Sequence, residues 1–285
     1  MYIQWFPGHM TKAVRMMEED ARLCDVLVYV VDSRAVLASI NPILDRITSG
    51  KRVVYVFNKC DLVESSQLNE WVKEFATQGK KAIKTCGTNS DCKDIIAAIK
   101  ECYKDVLDKY SAKGVKKHIR AMICGIPNSG KSTIINSMRK KASAVTGDKA
   151  GVTRGKQWLS LDSQIDLLDT PGTLWGKFEN QRIAKHLAYI GSVSDDVLDS
   201  AELALEFLTE AKEKFSKNVA ERYGVDTSVE PLKLLECIAL KRGFKLRGGD
   251  VDYDRTAKMI IDDFRKGRLG KIMLERSGED AMDGE

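Results

Sequence analysis

The sequence predicts a doubly wound α/β domain followed by an all-helical one. Short apolar runs rich in β-branched residues recur between residues 26 and 169, with helical patterns between them. Two of these runs end in motifs that belong at the C-terminal edge of a parallel sheet, "NKCD" at 58–61 and "GIPNSGKS" at 125–132. Beyond about residue 178 the strand signal fades and helical patterns remain.

Taken in order, Ala13, Met17, Ala21 and Cys24 recur at helical spacing with charges between them, which predicts a helix over 11–24. "VLVYVV" (26–31) is continuous rather than alternating, as a strand covered on both faces requires. "VVYVF" (53–57) is a second such strand, "AIKT" (82–85) a weaker third, and "AMIC" (121–124) a fourth that runs straight into the Gly-rich loop. "WLSL" and "IDLLD" (158–161 and 165–169) predict a hairpin. Helices are expected at about 65–78 and 91–109. Further on, Ala204, Leu208, Ala211 and Phe215 mark one helix face, and Ala257, Ile260, Ile261 and Phe264 another. "PLKLLECIAL" (231–240) opens a helix with Pro231 in its first turn. The closing "SGEDAMDGE" (277–285) reads as a frayed end. The expected division is a nucleotide domain over 1–178 and a helical domain over 179–285.

The 285 residues suit two domains, and 43% hydrophobic content is enough for real cores. A net charge of +5 is compatible with a polyanionic partner and equally with a lysine-rich surface. The seven cysteines are scattered and none forms a CxxC pair, which argues against a disulfide framework or a zinc site and fits a reducing compartment. "MYIQWFPGHM" has neither the layout of a secretory signal nor that of a transit peptide. No apolar run approaches the roughly 20 residues that cross a bilayer. The expectation is a soluble cytoplasmic protein with no membrane partner, a monomer when free.

GxxxxGKS fixes Gly125, Gly130, Lys131 and Ser132 in a strand–loop–helix context. Glycines let backbone N–H groups approach phosphate oxygens, so Asn128, Ser129, Gly130, Lys131, Ser132 and Thr133 form the expected cradle. Lys131 reaches the β- and γ-phosphates and Ser132 coordinates Mg²⁺. "NKCD" then selects the base. Asp61 can accept from the N1–H and 2-amino groups of guanine, a donor pair that adenine lacks. Asn58 can bond the N7/O6 edge, and the Lys59 stem can pack over the ring. "TCG" (85–87) is where a backbone N–H would meet guanine O6, and Cys86 takes that role. In "DTPG" (169–172), Asp169 can hold Mg²⁺ through water and the Gly172 N–H can meet the γ-phosphate. In "AGVTRG" (150–155), Thr153 is the candidate switch threonine for Mg²⁺ and γ-phosphate, with Thr146 as its rival.

The base reader precedes the phosphate loop, the reverse of the usual order. The full set, 58–61, 85–87, 125–132, about 146–155 and 169–172, is that of a GTPase cyclically shifted. Strands can keep their places in a sheet while one connection is closed and another opened. The predicted fold is thus a circularly permuted Ras-like P-loop GTPase domain followed by an all-α C-terminal domain, with "SAKGVKKHIR" (111–120) as the joining segment.

A permuted GTPase with "IQWFPGHMTKA" (3–13), "VVDSR" (30–34), "NKCD", "GIPNSGKS", "DTPGTLW" (169–175) and "RKGRLGK" (265–271) closely resembles the RbgA/YlqF family, over nearly the whole chain. These are GTPases acting late in assembly of the large ribosomal subunit. The family usually has Pro where this chain has Ala150, and an apolar residue where it has Thr173. Ras-like enzymes place a water-orienting Gln at the position of Thr173, and Thr is too short to copy it. The resemblance instead implies that His9 of "PGHM" orients the water, a role suited to a neutral imidazole. It implies K⁺ binding beside the phosphates through Asn128. It also implies ribosomal RNA as partner, for which Lys113, Lys116, Lys117 and Arg120, then Lys241, Arg242, Lys245 and Arg247, then Arg265, Lys266, Arg268 and Lys271 are the basic clusters. His118 and His186 carry no motif and read as surface residues; Trp5 and Phe6 read as packing residues, and the role of Arg34 stays open. A nucleotide-dependent RNA-binding switch and a small-subunit assembly GTPase are the alternative functions.

Overall fold

Every residue of Val26–Asp32 (β1) is buried, because this run lies at the centre of a six-stranded sheet with helices on both faces. The computed structural model describes residues 1–5, 8–88, 92–146, 158–175 and 177–279; for His9 and residues 140–146 it describes the backbone alone. The other strands are β2 (Arg52–Asn58), β3 (Lys81–Lys84), β4 (Ile119–Gly125), β5 (Trp158–Ser160) and β6 (Ile165–Asp169). Their spatial order is β3-β2-β1-β4-β6-β5, all neighbours parallel except the hairpin of β5 and β6. The two motif-bearing strands, β2 and β4, thus flank β1, and their C-terminal ends meet on one edge.

The predicted N-terminal helix is α1 (His9–Arg22). Two short helices that the periodicity did not show follow β1, α2 (Val36–Ser39) and α3 (Pro42–Thr48). After α4 (Ser65–Thr77), the helix expected over 91–109 divides at Tyr103 into α5 (Lys93–Cys102) and α6 (Lys104–Ser111). The phosphate loop feeds α7 (Lys131–Thr146). Five helices then follow: α8 (Gln181–Tyr189), α9 (Ser200–Lys214), α10 (Ser216–Tyr223), α11 (Pro231–Arg242) and α12 (Tyr253–Arg265). Pro231 opens α11 as its sequence predicts, and Phe215 ends α9 rather than continuing it.

One apolar cluster covers each face of the sheet. A third fills the helical region and does not stop at its border: Ile3, Met10, Ala38, Ile126 and Leu174 pack with Tyr189, Phe207, Leu235 and Phe264. Trp5 lies against this cluster as a packing residue.

Polar contacts reinforce that junction. Asp32, fully buried at the end of β1, accepts from Arg34 Nε (2.9 Å) and Nη2 (2.7 Å) and from Lys59 Nζ (2.8 Å). Burial alone would raise its carboxyl pKa; the two cations outweigh that and hold it well below the usual carboxylate range. Arg34 is itself buried, stacks over Phe264 of α12 and donates to the Arg265 carbonyl. Its role, open in the sequence, is therefore to join β1 to the last helix.

Two expectations need correction. His186 is not a surface residue: it is fully buried, with Nδ1 2.7 Å from Glu275 and Nε2 3.1 Å from Glu210. The end of the chain is not frayed through 279. Ser277 Oγ (2.6 Å) and Gly278 N (3.0 Å) donate to Glu74, and Glu279 pairs with Arg182. The Glu275 carboxylate accepts the N–H groups of Leu37 and Ala38 at the start of α2. Residues 280–285 lie outside the described residues.

Two outcomes are expected. Asp32→Asn leaves two buried cations without their counter-charge and should lower unfolding free energy by about 3 kcal/mol, read from denaturant midpoints. Burial lowers the His186 pKa, but Glu210 and Glu275 outweigh it and raise it from 6.5 to about 9. A group raised on folding contributes fully below its unfolded value and is lost as pH rises through the folded one. The melting temperature should therefore fall between pH 6.5 and about 9, and His186→Gln should flatten that slope.

Candidate functional site

Four motifs converge on the C-terminal edge of β2, β1, β4 and β6. The phosphate loop leaves β4 at Gly125 and enters α7 at Lys131. Gly130 has φ +96°, and a Cβ there would lie 2.1 Å from Asn58 Nδ2, so no side chain fits. That contact has a purpose. Asn58, at the end of β2, donates from Nδ2 to the Ser129 carbonyl (2.8 Å) and accepts the Gly87 N–H at Oδ1 (2.9 Å). One buried amide therefore ties base reader, phosphate loop and the 85–87 loop together. Each amide atom already holds a backbone partner, so contact with a base would use its remaining hydrogen-bonding capacity.

Lys59 takes the left-handed conformation, φ +60°, which turns its side chain back over the loop. Its Nζ donates to the Asn128 carbonyl (2.7 Å) as well as to Asp32. Burial lowers its pKa, and the Asp32 charge opposes that shift. Asp61 is exposed in the 3₁₀ turn Cys60–Leu62 that follows. Cys86 is half-buried, its Sγ 3.2 Å from Thr88 Oγ1.

Lys131 is buried and donates to the carbonyls of Gly125 (3.1 Å) and Ile126 (2.7 Å). Burial carries its pKa down to about 8, opposed by the charge of Asp169. An anion brought to this ammonium would reverse that shift. Ser132 and Thr133 are exposed on the first turn of α7. Asp169 is exposed at the end of β6, in register with Ile123 of β4. A serine hydroxyl on the first turn of α7 and a carboxylate at the end of β6 are hard oxygen donors, which fits Mg²⁺ held by one or two protein groups with phosphates and waters completing its shell. No group of three or more His, Cys, Asp or Glu among the described residues forms a cluster that would hold a metal by itself.

The 169–172 segment lies directly on the loop. A Cβ on Gly172 would come within 2.8 Å of both Lys131 Nζ and Pro127. Thr173 is fully buried, and Asn41 donates from Nδ2 to its carbonyl (2.9 Å). Asn128 is exposed with φ +58°, and its Nδ2 donates to the Gly191 carbonyl beyond α8. His9 begins α1, and its side chain is outside the described residues, as is Thr153 altogether.

The motif reading missed Asp32, Asn41 and Ser192. Asp32 had a signal: it ends a continuous apolar run that pairs in register with the strand carrying Asn58. Asn41 and Ser192 act on backbone carbonyls distant in sequence and leave no motif.

A family profile described as a 50S ribosome-binding GTPase matches residues 120–228. It begins at the strand of the phosphate loop and leaves "NKCD" outside, as a cyclic shift of the motif order requires. The chain is 39% identical to ribosome biogenesis GTPase A of Bacillus cereus, over 98% of this chain and 95% of that one. It is 30% identical to ribosome biogenesis GTPase A of Thermotoga maritima, over 96% and 94%. The crystal structure of GNP-bound YlqF from T. maritima superposes with a TM-score of 0.67 at 28% identity, covering 94% of this chain and 100% of that one. Likeness at this level over the full length, with the shifted motifs meeting on one sheet edge, places the chain in the RbgA/YlqF family of circularly permuted GTPases, enzymes that hydrolyse GTP.

Proposed function

We propose that this protein is a cytoplasmic GTPase of ribosome biogenesis whose GTP form docks on a maturing large ribosomal subunit and whose hydrolysis releases it. The observation that carries the nucleotide part is the Asn58 amide bridging Ser129 and Gly87, which presents base reader and phosphate loop as one surface. The ribosomal part rests on full-length likeness to proteins named for ribosome biogenesis.

In this reading Asp61 accepts from the guanine edge, Lys59 packs over the ring, and the Cys86 N–H meets the base oxygen. The N–H groups from Asn128 to Thr133 cradle the phosphates, with Lys131 and the Gly172 N–H on the terminal one. Ser132, Asp169 and Thr153 hold Mg²⁺, which neutralises charge developing on the phosphates. The Asn128 amide nitrogen is engaged by Gly191, so its oxygen is the atom that would face K⁺. His9 orients the attacking water. With Thr173 buried and no Gln in its place, unaided turnover is slow.

For ribosomal RNA the charge pattern favours one surface within the helical domain, residues 179–285. Arg265, Lys266, Arg268 and Lys271 are paired with Asp195, Asp262, Asp263 and Glu64. Among the described residues Lys241, Lys245 and Arg247 have no ion-pair partner, and they stand beside exposed Leu240 and Leu246. Unpaired cations are free to displace counterions from a phosphate backbone.

Asp61→Asn removes the acceptor for two guanine donors and should weaken GTP by about two orders of magnitude, with xanthosine triphosphate recovering part of the loss, both read by equilibrium titration. GTP turnover in potassium buffer should rise strongly with isolated large subunits and little with small ones, and His9→Ala should abolish the rise. Stimulation by small subunits alone would point to the small-subunit alternative. A hydrolysis-dead variant that supports full assembly in cells would point to an RNA-binding switch.

A further inference from the structure

The phosphate loop is also held from the helical region. The Pro127 carbonyl accepts Ser192 Oγ at 2.7 Å, and Asn128 Nδ2 donates to the Gly191 carbonyl. Both partners lie in the turn that ends α8.

That turn is rigid for identifiable reasons. Gly191, at φ +79°, donates to the Ala188 carbonyl (3.0 Å) and Ser192 N to Leu187 (2.8 Å), the paired bonds of a Schellman cap. Arg265 of α12 also donates to carbonyls of this turn, from Nε to Tyr189 (3.0 Å) and from Nη2 to Ala188 (2.7 Å), while pairing with Asp195. Arg34 donates in turn to the Arg265 carbonyl (3.1 Å). Ser192 is 2% exposed.

A trans peptide is planar, so its C=O and N–H point in opposite directions. Anchoring a carbonyl therefore aims the N–H of the next residue. Three consecutive loop carbonyls are anchored by side chains: Pro127 by Ser192, Asn128 by Lys59 and Ser129 by Asn58. The N–H groups so aimed belong to Asn128, Ser129 and Gly130. Two anchors come from the base reader; the third comes from the helical region.

We infer that Ser192 is a positioning residue of the phosphate loop, through which docking of the helical region and nucleotide binding are coupled. The inference rests on the phosphate-loop reading of 125–132. Coupling is reciprocal: a partner that pulls α8 and α12 from the loop loosens the nucleotide, and the nucleotide tightens the α8 turn. This route does not pass through residues 150–172.

The test is fluorescence titration of the full chain with labelled GDP and a non-hydrolysable GTP analogue, alongside hydrogen exchange of the 187–193 amides with and without nucleotide. Ser192→Ala should weaken both nucleotides about 5-fold, the scale of one hydrogen bond. Ser192→Thr, which keeps the hydroxyl, should bind near the parent level. Nucleotide should slow exchange at 187–193 in the parent and less so in Ser192→Ala. Parent-level affinity in Ser192→Ala, whatever its melting temperature, overturns the inference. So does a loss that Ser192→Thr shares in full while exchange at the turn ignores nucleotide. Lys131→Ala is the control: if it still binds, the phosphate-loop reading has failed rather than the coupling.

Discussion

A single buried carboxylate organises the working edge of this protein. Asp32 has no solvent to stabilise its charge, so it must be satisfied by neighbours, and it takes Arg34 and Lys59. Each cation has donors to spare, and each spends them on a different part of the chain. Arg34 reaches the end of α12, and Lys59 reaches the phosphate loop. The charge at the end of β1 thus sets the distance between base reader, phosphate loop and helical region at once.

The permuted order makes such a junction necessary. In this chain residues 1–5 and the segment after α12 both lie against the helices. The N-terminal ammonium pairs with Glu202 and Glu206 of α9, and Gln4 exchanges hydrogen bonds with Phe178. The last described residues return across the sheet domain, with Ile272 N donating to Leu62, Leu274 N to Arg34, and Glu275 capping α2. His9 therefore follows a segment anchored on the helical region, and the turn at Leu62 is covered by residues 267–272. A partner acting on the helices would reach the nucleotide edge through several short paths rather than one.

Charge is distributed with the same economy. The basic residues of 265–271 are paired with Asp195, Asp262, Asp263 and Glu64. Among the described residues Lys241, Lys245 and Arg247 have no carboxylate partner, while Arg242 is held by the Arg222 carbonyl and the Tyr223 ring. His186 and its two carboxylates form a second internal network, clamping α8, α9 and the chain's end together.

What the sequence determined by itself was local. The continuous apolar runs of β1, β2 and β4 and the hairpin of β5 and β6 were legible, because burial on both faces and short connections leave periodic marks. The phosphate loop was legible because backbone geometry restricts its residues. The helix α8 bears the same kind of mark, in Ile183, Ala184, Leu187 and Ala188 behind the Asn180 cap. Only the tertiary structure decided who pairs with whom. His186 looked exposed because Glu275 is 89 residues away, and Ser277 and Gly278 looked frayed because Glu74 is over 200 residues away. Ser192 was invisible because its partner is a backbone carbonyl, which any residue would supply. Periodicity records which face of an element is buried; it does not record the partner that a buried charge or a lone carbonyl will find.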